Sequence, residues 1–188
     1  MAMTAGRQQR LDDRQRRIIE VARERAEAGG WPAVTTRALA DAIGYSQPVL
    51  YSHFPGGKSE IMNAVALTGF AELNETTRAA RGELEGRAAT VAVAGAYLDF
   101  ASAHPAVYEA MFSLPIGATF GQADTEIELR DAFDVLAAVV SSDGADAETA
   151  TEVFWSALHG LSALDRAERL RPAFRAARID ELASRFGT

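Results

Sequence analysis

Catalysis would need a nucleophile, an acid–base pair or a metal cluster, and the side chains able to supply them are scattered. Three histidines stand at positions 53, 104 and 159, too far apart in sequence to form a local metal-ligand motif. Cysteine is absent, which removes both thiolate chemistry and disulfides. No serine sits in a nucleophile signature, and no glycine-rich phosphate loop follows a strand pattern. The polar groups that do gather are of another kind. Ser46, Gln47, Tyr51, His53 and Lys58 fall within thirteen residues, with Thr36 a little upstream. Hydroxyls, an imidazole and an ammonium suit phosphate oxygens, and a glutamine amide can bond adenine bidentately. Val49 can meet a thymine methyl. The residues point to binding, with no catalytic group, metal or cofactor.

The elements that must position this set are two short helices. Ala38, Leu39, Ala42 and Ile43 recur at three- and four-residue intervals, which predicts one apolar helix face. Thr35 stands where an N-cap would, and Gly44 where the helix must stop in left-handed backbone. Tyr45 completes a turn, Ser46 can cap a second helix over 47–53, and Pro48 falls in its first turn, where a missing N–H costs little. Helix, tight turn and short polar helix make a helix-turn-helix, whose second helix suits the major groove. A preceding helix is expected over 12–28, with Ile18, Ile19, Ala22 and Ala26 as its stripe and Asp12 or Asp13 at its positive end. Gly29 and Gly30 stop it, and Trp31 and Val34 read as plugs. The three helices should pack around Ile18, Ala22, Leu39, Ile43, Leu50 and Phe54.

The order Gly44, Ser46, Leu50, Tyr51, His53, Phe54, Pro55, Lys58 resembles the DNA-binding domain of the TetR family of repressors, over roughly residues 11–67. Three positions depart from that pattern. Pro48 replaces a small residue, often glycine, Tyr45 replaces an aliphatic one, and Gly56-Gly57 inserts one residue before Lys58. None removes a phosphate-binding group. The resemblance implies that Gln47, Pro48 and Tyr51 face the groove, while Thr36, Ser46, His53 and Lys58 hold phosphates.

Composition agrees with an all-α protein, rich in alanine, leucine, arginine and glutamate and poor in alternating segments. The net charge of −7 is unevenly spread. Residues 1–60 hold nine Lys/Arg against seven Asp/Glu, whereas the remainder holds ten against nineteen. Seven arginines fall within 7–25, beside the helix-turn-helix, where phosphates would lie. A solvated arm would explain such a run by itself; its neighbour favours nucleic acid. The first residues lack an apolar export segment and no apolar run reaches membrane-spanning length, so a cytoplasmic protein without a membrane partner is expected.

About nine helices are expected in all, with a DNA-binding domain over 1–57 and a helical effector-binding and dimerisation domain over 58–188. A long helix over 58–81 buries Ile61, Val65, Phe70 and Leu73 and brings Lys58 and its own N-terminus toward phosphate. The helix over 88–103 is apolar nearly all round and should be central. A short helix starts at Pro105. The apolar segment 113–122, with Leu114, Ile116 and Phe120, can cover a cavity or close a core. Helices over 124–141, 147–167 and 172–186 follow, the first marked by Leu129, Phe133, Leu136 and Val140, the second by Val153, Ala157, Gly160, Leu161 and Leu164. FWSALHGLSAL (154–164) and HPAVYEAMF (104–112) are similar to elements of some TetR-family C-terminal domains. Candidate ligand residues are Tyr97, Phe100, His104, Tyr108, Met111, Phe112, Phe120, Trp155 and His159. Ala157, Leu161, Leu164, Ile179 and Leu182 are the candidate dimer contacts. The resemblance implies a homodimeric regulator that binds an operator in double-stranded DNA and is released by a small-molecule effector. The other reading is a helix-turn-helix protein whose second half is a protein-interaction module without an effector.

Overall fold

The computed structural model describes residues 2–112, 127–140 and 146–187, which form nine α-helices and no strand. None of these helices is long and apolar enough to cross a membrane. The chain forms two compact units. One comprises the residues through Gly69 and the stretch beginning at His104. The other comprises Phe70–Ala103 and the described residues from Ile127 onward. The division between these units falls within a helix. The segment 113–122, including Leu114, Ile116 and Phe120, lies outside the described residues, as does the Leu129 side chain.

The first unit opens with α1 (Ala2–Gly29), which begins ten residues earlier than expected. Its first turns are rich in good helix formers, and Gln8 donates a hydrogen bond to Asp12 at 2.9 Å, one turn on. Asp12 and Asp13 therefore lie inside the helix and not at its positive end; Asp13 pairs with Arg16 at 3.2 Å. Ile18, Val21, Ala22 and Ala26 are buried, while Ile19 is half-buried, so the stripe runs one position round from the expected one. Gly30, at φ 72°, lets the chain leave α1 sharply into a 3-10 turn, Trp31–Ala33.

Helix α2 (Thr36–Ile43) starts at an N-cap Thr35 whose hydroxyl accepts from the Ala38 amide at 3.1 Å. It ends at Gly44, φ 70°, whose amide donates to the Ala40 carbonyl. Leu39 and Ala40 are its buried residues; Ile43, expected in the core, is half-buried and Ala42 exposed, so the inward side centres on the middle of the helix. Helix α3 (Gln47–His53) has the expected bounds, with Leu50 inward. Ser46 occupies the N-cap position, but its hydroxyl makes no capping bond. Helix α4 (Lys58–Arg81) buries Ile61, Val65, Phe70 and Leu73 at 3% exposure or less. Two elements later, α6 (Pro105–Phe112) returns to this unit, with Ala106, Val107, Tyr108, Ala110 and Met111 buried.

The second unit is built on α5 (Gly86–Ala103), which packs against α8 (Ala147–Arg166) and most extensively against α9 (Arg175–Phe186). Val93, Ala94, Tyr97, Phe100 and Ala101 fill its interior. Thr90 donates to the Val139 carbonyl at 2.8 Å, just past the end of α7 (Ile127–Ala137). That helix stops short of the expected 141, and Val140 lies beyond it. Arg175 reaches the Asp99 carboxylate at 2.6 Å, tying α9 to α5. α9 itself follows a 3-10 turn, Pro172–Phe174, so the helix expected from 172 begins three residues later.

Helix α8 turns a different side inward from the one its apolar spacing suggests. Thr151, Phe154, Leu158 and Ser162 are buried, and the two hydroxyls satisfy themselves on carbonyls of their own helix at 2.8 and 2.9 Å. Val153 and Leu164 are 51% and 46% exposed, with Ala157, Gly160 and Leu161 half-buried between them.

Helices α4 and α6 approach closely at Gly69 of α4. A Cβ there would lie 2.5 Å from Val107 Cγ1 and 2.8 Å from Met111 Sδ, both on α6. Gly69→Ala should therefore lower stability by about 1–3 kcal/mol through overpacking. Gly95→Ala, where nothing lies within 4 Å, should instead gain up to about 1 kcal/mol of helix propensity. Urea midpoints decide the matter; an unchanged midpoint for Gly69→Ala would show that α6 simply yields.

Candidate nucleic-acid interface

The reading face is assembled by α2, the turn at Gly44 and α3. Leu50 and Phe54, 0% and 1% exposed, anchor α3 inward. The alternate positions are thereby turned outward. Gln47, Pro48 and Ser46 are exposed, Tyr51 is 45% exposed, and Val49 and His53 are half-buried. Thr36, in the first turn of α2, joins them through Gly57. A Cβ on Gly57 would stand 3.3 Å from Tyr51 Cε1 and 3.9 Å from Thr36 Cγ2. Glycine at φ 62° thus lets the Tyr51 ring and Thr36 close over the start of α4. The inserted Gly56-Gly57 pair has a local use as well: the Gly56 amide donates to Glu60 Oε2 at 2.7 Å, closing the turn.

Lys58 is more engaged than its residue type suggests. Its ammonium donates to the Trp31 carbonyl at 2.6 Å and is half-buried. An ammonium has three donors, so phosphate contact and this tie are compatible, but Lys58 holds the unit together besides. Sequence reasoning did not single out Arg14, whose guanidinium stands 5.8 Å over the ring of Tyr45. This brings the basic side of α1 to the α2–α3 turn. The arginine run carried the signal, and the helical phase relative to Tyr45 was the missing piece.

The candidate ligand residues divide between the units. Tyr97, Phe100, Trp155 and His159 belong to the second, where Tyr97 and Phe100 are 1% and 5% exposed and Trp155 Nε1 donates to the Tyr97 hydroxyl at 3.2 Å. His104, Tyr108, Met111 and Phe112 belong to the first. There the Tyr108 and Phe112 rings lie 4.7 Å apart at 56°, and Met111 is packed against Gly69. Of the candidate dimer contacts, Ile179 and Leu182 lie in the protomer's own interior at 6% and 8% exposure. Ala157, Leu161 and Leu164 face outward and line an open groove of about 720 Å³ between α8 and α9.

Burial lowers the pKa of His159 below its ordinary 6.5, and the charge of Arg166 lowers it further. The folded protein then binds this proton less readily than the unfolded chain does. Stability from neutral His159 is present above pH 6.5 and is lost as pH falls through the lowered folded value. Thermal midpoints measured between about pH 7 and 5 should fall less steeply for His159→Gln than for the parent protein. Parallel profiles would show that His159 carries none of the acid sensitivity.

Comparison with known proteins finds matches in both halves of the chain. The model of bacterial regulatory proteins of the tetR family matches residues 18–65, and that of the tetracyclin repressor-like C-terminal domain matches residues 90–186. An uncharacterized HTH-type transcriptional regulator of Mycobacterium tuberculosis, Rv0681, is 32% identical over 152 residues, which is 79% of this chain and 68% of that protein. Among solved structures, a protein of unknown function from Rhodococcus sp. RHA1 superposes with a TM-score of 0.69 at 22% identity, covering 90% of this chain and 89% of the other. A tetR family transcription regulator from Shewanella sp. PV-4 gives 0.59 at 19% identity, covering 93% and 98%. Members of this family are DNA-binding transcriptional regulators and not enzymes. With an exposed α3 on a rigid three-helix head and both halves matched, the chain belongs to the tetR family of bacterial regulatory proteins.

Proposed function

We propose that the protein is a homodimeric one-component repressor that occupies a palindromic operator and leaves it when a small molecule binds its helical second half. The outward apolar stripe of α8 is the observation that carries this reading. Val153, Ala157, Leu161 and Leu164 run along a helix whose other side already fills the core. The adjoining groove is lined by apolar groups, among them Phe174 and Leu170, and by Arg169, Arg171, Arg178 and Arg185, the last paired with Glu181. Apolar groups mixed with guanidinium groups are the composition of a protein interface. A second copy of the same helix pair would complete a four-helix bundle about a two-fold axis. Two such protomers carry two α3 helices, as a palindrome requires, set about 34–36 Å apart or a multiple of it.

On this reading α3 reads base edges through Gln47, Pro48, Val49 and Tyr51, while Thr36, Ser46, His53 and Lys58 meet phosphates. The effector has candidate contacts in each unit taken separately, Tyr97, Phe100, Trp155 and His159 in the second and Tyr108, Met111 and Phe112 in the first. It must bind the released state better than the operator-bound one, since equal affinity shifts nothing. Selection of DNA fragments bound by the protein tests operator recognition and symmetry together. A thermal-shift screen of small molecules, followed by operator release, tests the effector. Ligands that neither stabilise the protein nor release DNA would favour the protein-interaction reading.

Tyr51→Ala is a cleaner probe of the face than Lys58→Ala, which also breaks the tie to Trp31. It should weaken operator binding by about 1–3 kcal/mol, as for a lost base contact, while the thermal midpoint stays near that of the parent. Operator affinity equal to the parent's would remove Tyr51 from the interface. Leu164→Glu, at a position 46% exposed in the protomer, should give folded monomers. Their operator affinity should fall by about a hundredfold or more, because the second head no longer binds from the same molecule. Light scattering that finds the parent protein monomeric at roughly micromolar concentration contradicts the dimer.

A further inference from the structure

Helix α6 is held in the DNA-reading unit by a contact that hydrophobic packing alone does not require. Pro105 occupies its first position and has no N–H, so the next amides, of Ala106 and Val107, are the donors left open by the helix start. One carboxylate far back in the chain takes both. Glu27 Oε2 accepts from the Ala106 amide and Oε1 from the Val107 amide, each at 3.1 Å. Four residues after Glu27, Trp31 Nε1 donates to the Ala106 carbonyl at 2.8 Å. On another side, α6 lies so close to α4 that only glycine fits at 69.

The geometry matters because apolar contacts tolerate sliding and a bidentate carboxylate does not. Two charge-assisted hydrogen bonds at the positive end of a helix fix register and direction together. Displacing α6 by a few ångströms strands two amides and a half-buried carboxylate, each costly to leave unpaired. Glu27 sits in the last turns of α1, and α1 packs on both α2 and α3. α6 in turn carries Tyr108, Met111 and Phe112, three of the candidate ligand residues named above.

We propose that Glu27 is the positioning residue that fixes α1, and with it the reading helices, to α6, so that operator affinity depends on where α6 stands. This rests on the operator-binding reading above. An effector that engages α6 then acts directly on the unit that reads DNA, by drawing its first turn away from Glu27.

The test uses the full-length protein and the operator recovered with the parent protein. Glu27→Gln keeps the side-chain length but offers one acceptor oxygen in place of two and no charge. Amide hydrogen exchange at Ala106 and Val107 should accelerate while exchange across Thr36–Phe54 stays protected, showing that the reading helices remain folded. Operator Kd should rise by about tenfold, within the ordinary range of coupling between sites. Glu27→Asp should recover part of the affinity, and Glu24→Gln, an exposed change on the same helix, should leave it unaltered. Should Glu27→Gln lose protection over Thr36–Phe54, Trp31→Phe replaces it, since it keeps an aromatic ring and removes the Nε1 donor together with part of the indole; the same rise in Kd, with Thr36–Phe54 still protected, is expected. Faster exchange at Ala106 and Val107 with Kd within about twofold of the parent overturns the proposal, reducing Glu27 to a helix cap. Unchanged exchange at those two amides overturns it as well. Failure to recover any operator with the parent protein is visible before a variant is made, and removes the operator-binding reading and this proposal together.

Discussion

Trp31 carries the constraint on which the reading unit depends. Its indole is 4% exposed, and neither its N–H nor its carbonyl can be buried without a partner at acceptable cost. The indole N–H goes to Ala106 on α6, and the carbonyl, which also accepts from the Val34 amide at 3.1 Å, receives the Lys58 ammonium at the start of α4. One residue therefore joins the end of α1, the beginning of α4 and a helix that comes 75 residues later in the chain. The three N-terminal helices make a small core, of a size at which a single core is marginal. Val107, Tyr108 and Met111, all about 1% exposed, enlarge it. The DNA-reading unit is thus a larger body than the helix-turn-helix, completed by residues from the other half of the sequence.

What could be read beforehand was local. The Thr35 cap, the left-handed Gly44, the bounds of α3 and α4 and the buried side of α4 each depend on residues within a turn or two of one another, where propensity and spacing act. The start of α1 escaped because helix formers continue upstream of Asp12 without a stop signal. The residue types of the candidate DNA face were legible too, since Leu50 and Phe54 fix which side of α3 is inward. That Lys58 is tied to Trp31, and Glu27 to α6, was not legible: those partners lie 27 and about 80 residues apart, and no periodicity encodes them.

Helix α8 shows a second limit, of a different kind. Its heptad-like spacing of Val153, Ala157, Leu161 and Leu164 is real, yet periodicity reports where apolar groups lie and not what covers them. The protomer covers the other side, using Phe154 and Leu158 and two hydroxyls, of Thr151 and Ser162, that bond to their own helix. Those hydroxyls made the inward side look polar. An apolar stripe left outside a filled core is therefore more informative than the stripe alone, because it marks surface that has not yet found its partner.

The chain passes between its two units within α4, at Gly69–Phe70, and again at Ala103–His104, where α5 ends and α6 begins. These crossings differ physically. The first is a continuous helix, which keeps its hydrogen-bond ladder through the boundary. The break before Pro105 interrupts that ladder and can carry a displacement only through whatever grips α6 on its far side. In this protein the grip is polar and has a fixed register: Glu27 on two amides and Trp31 on a carbonyl. The two crossings thus differ in what holds the chain on the first unit's side: an unbroken helix at one, and side-chain hydrogen bonds to α6 at the other.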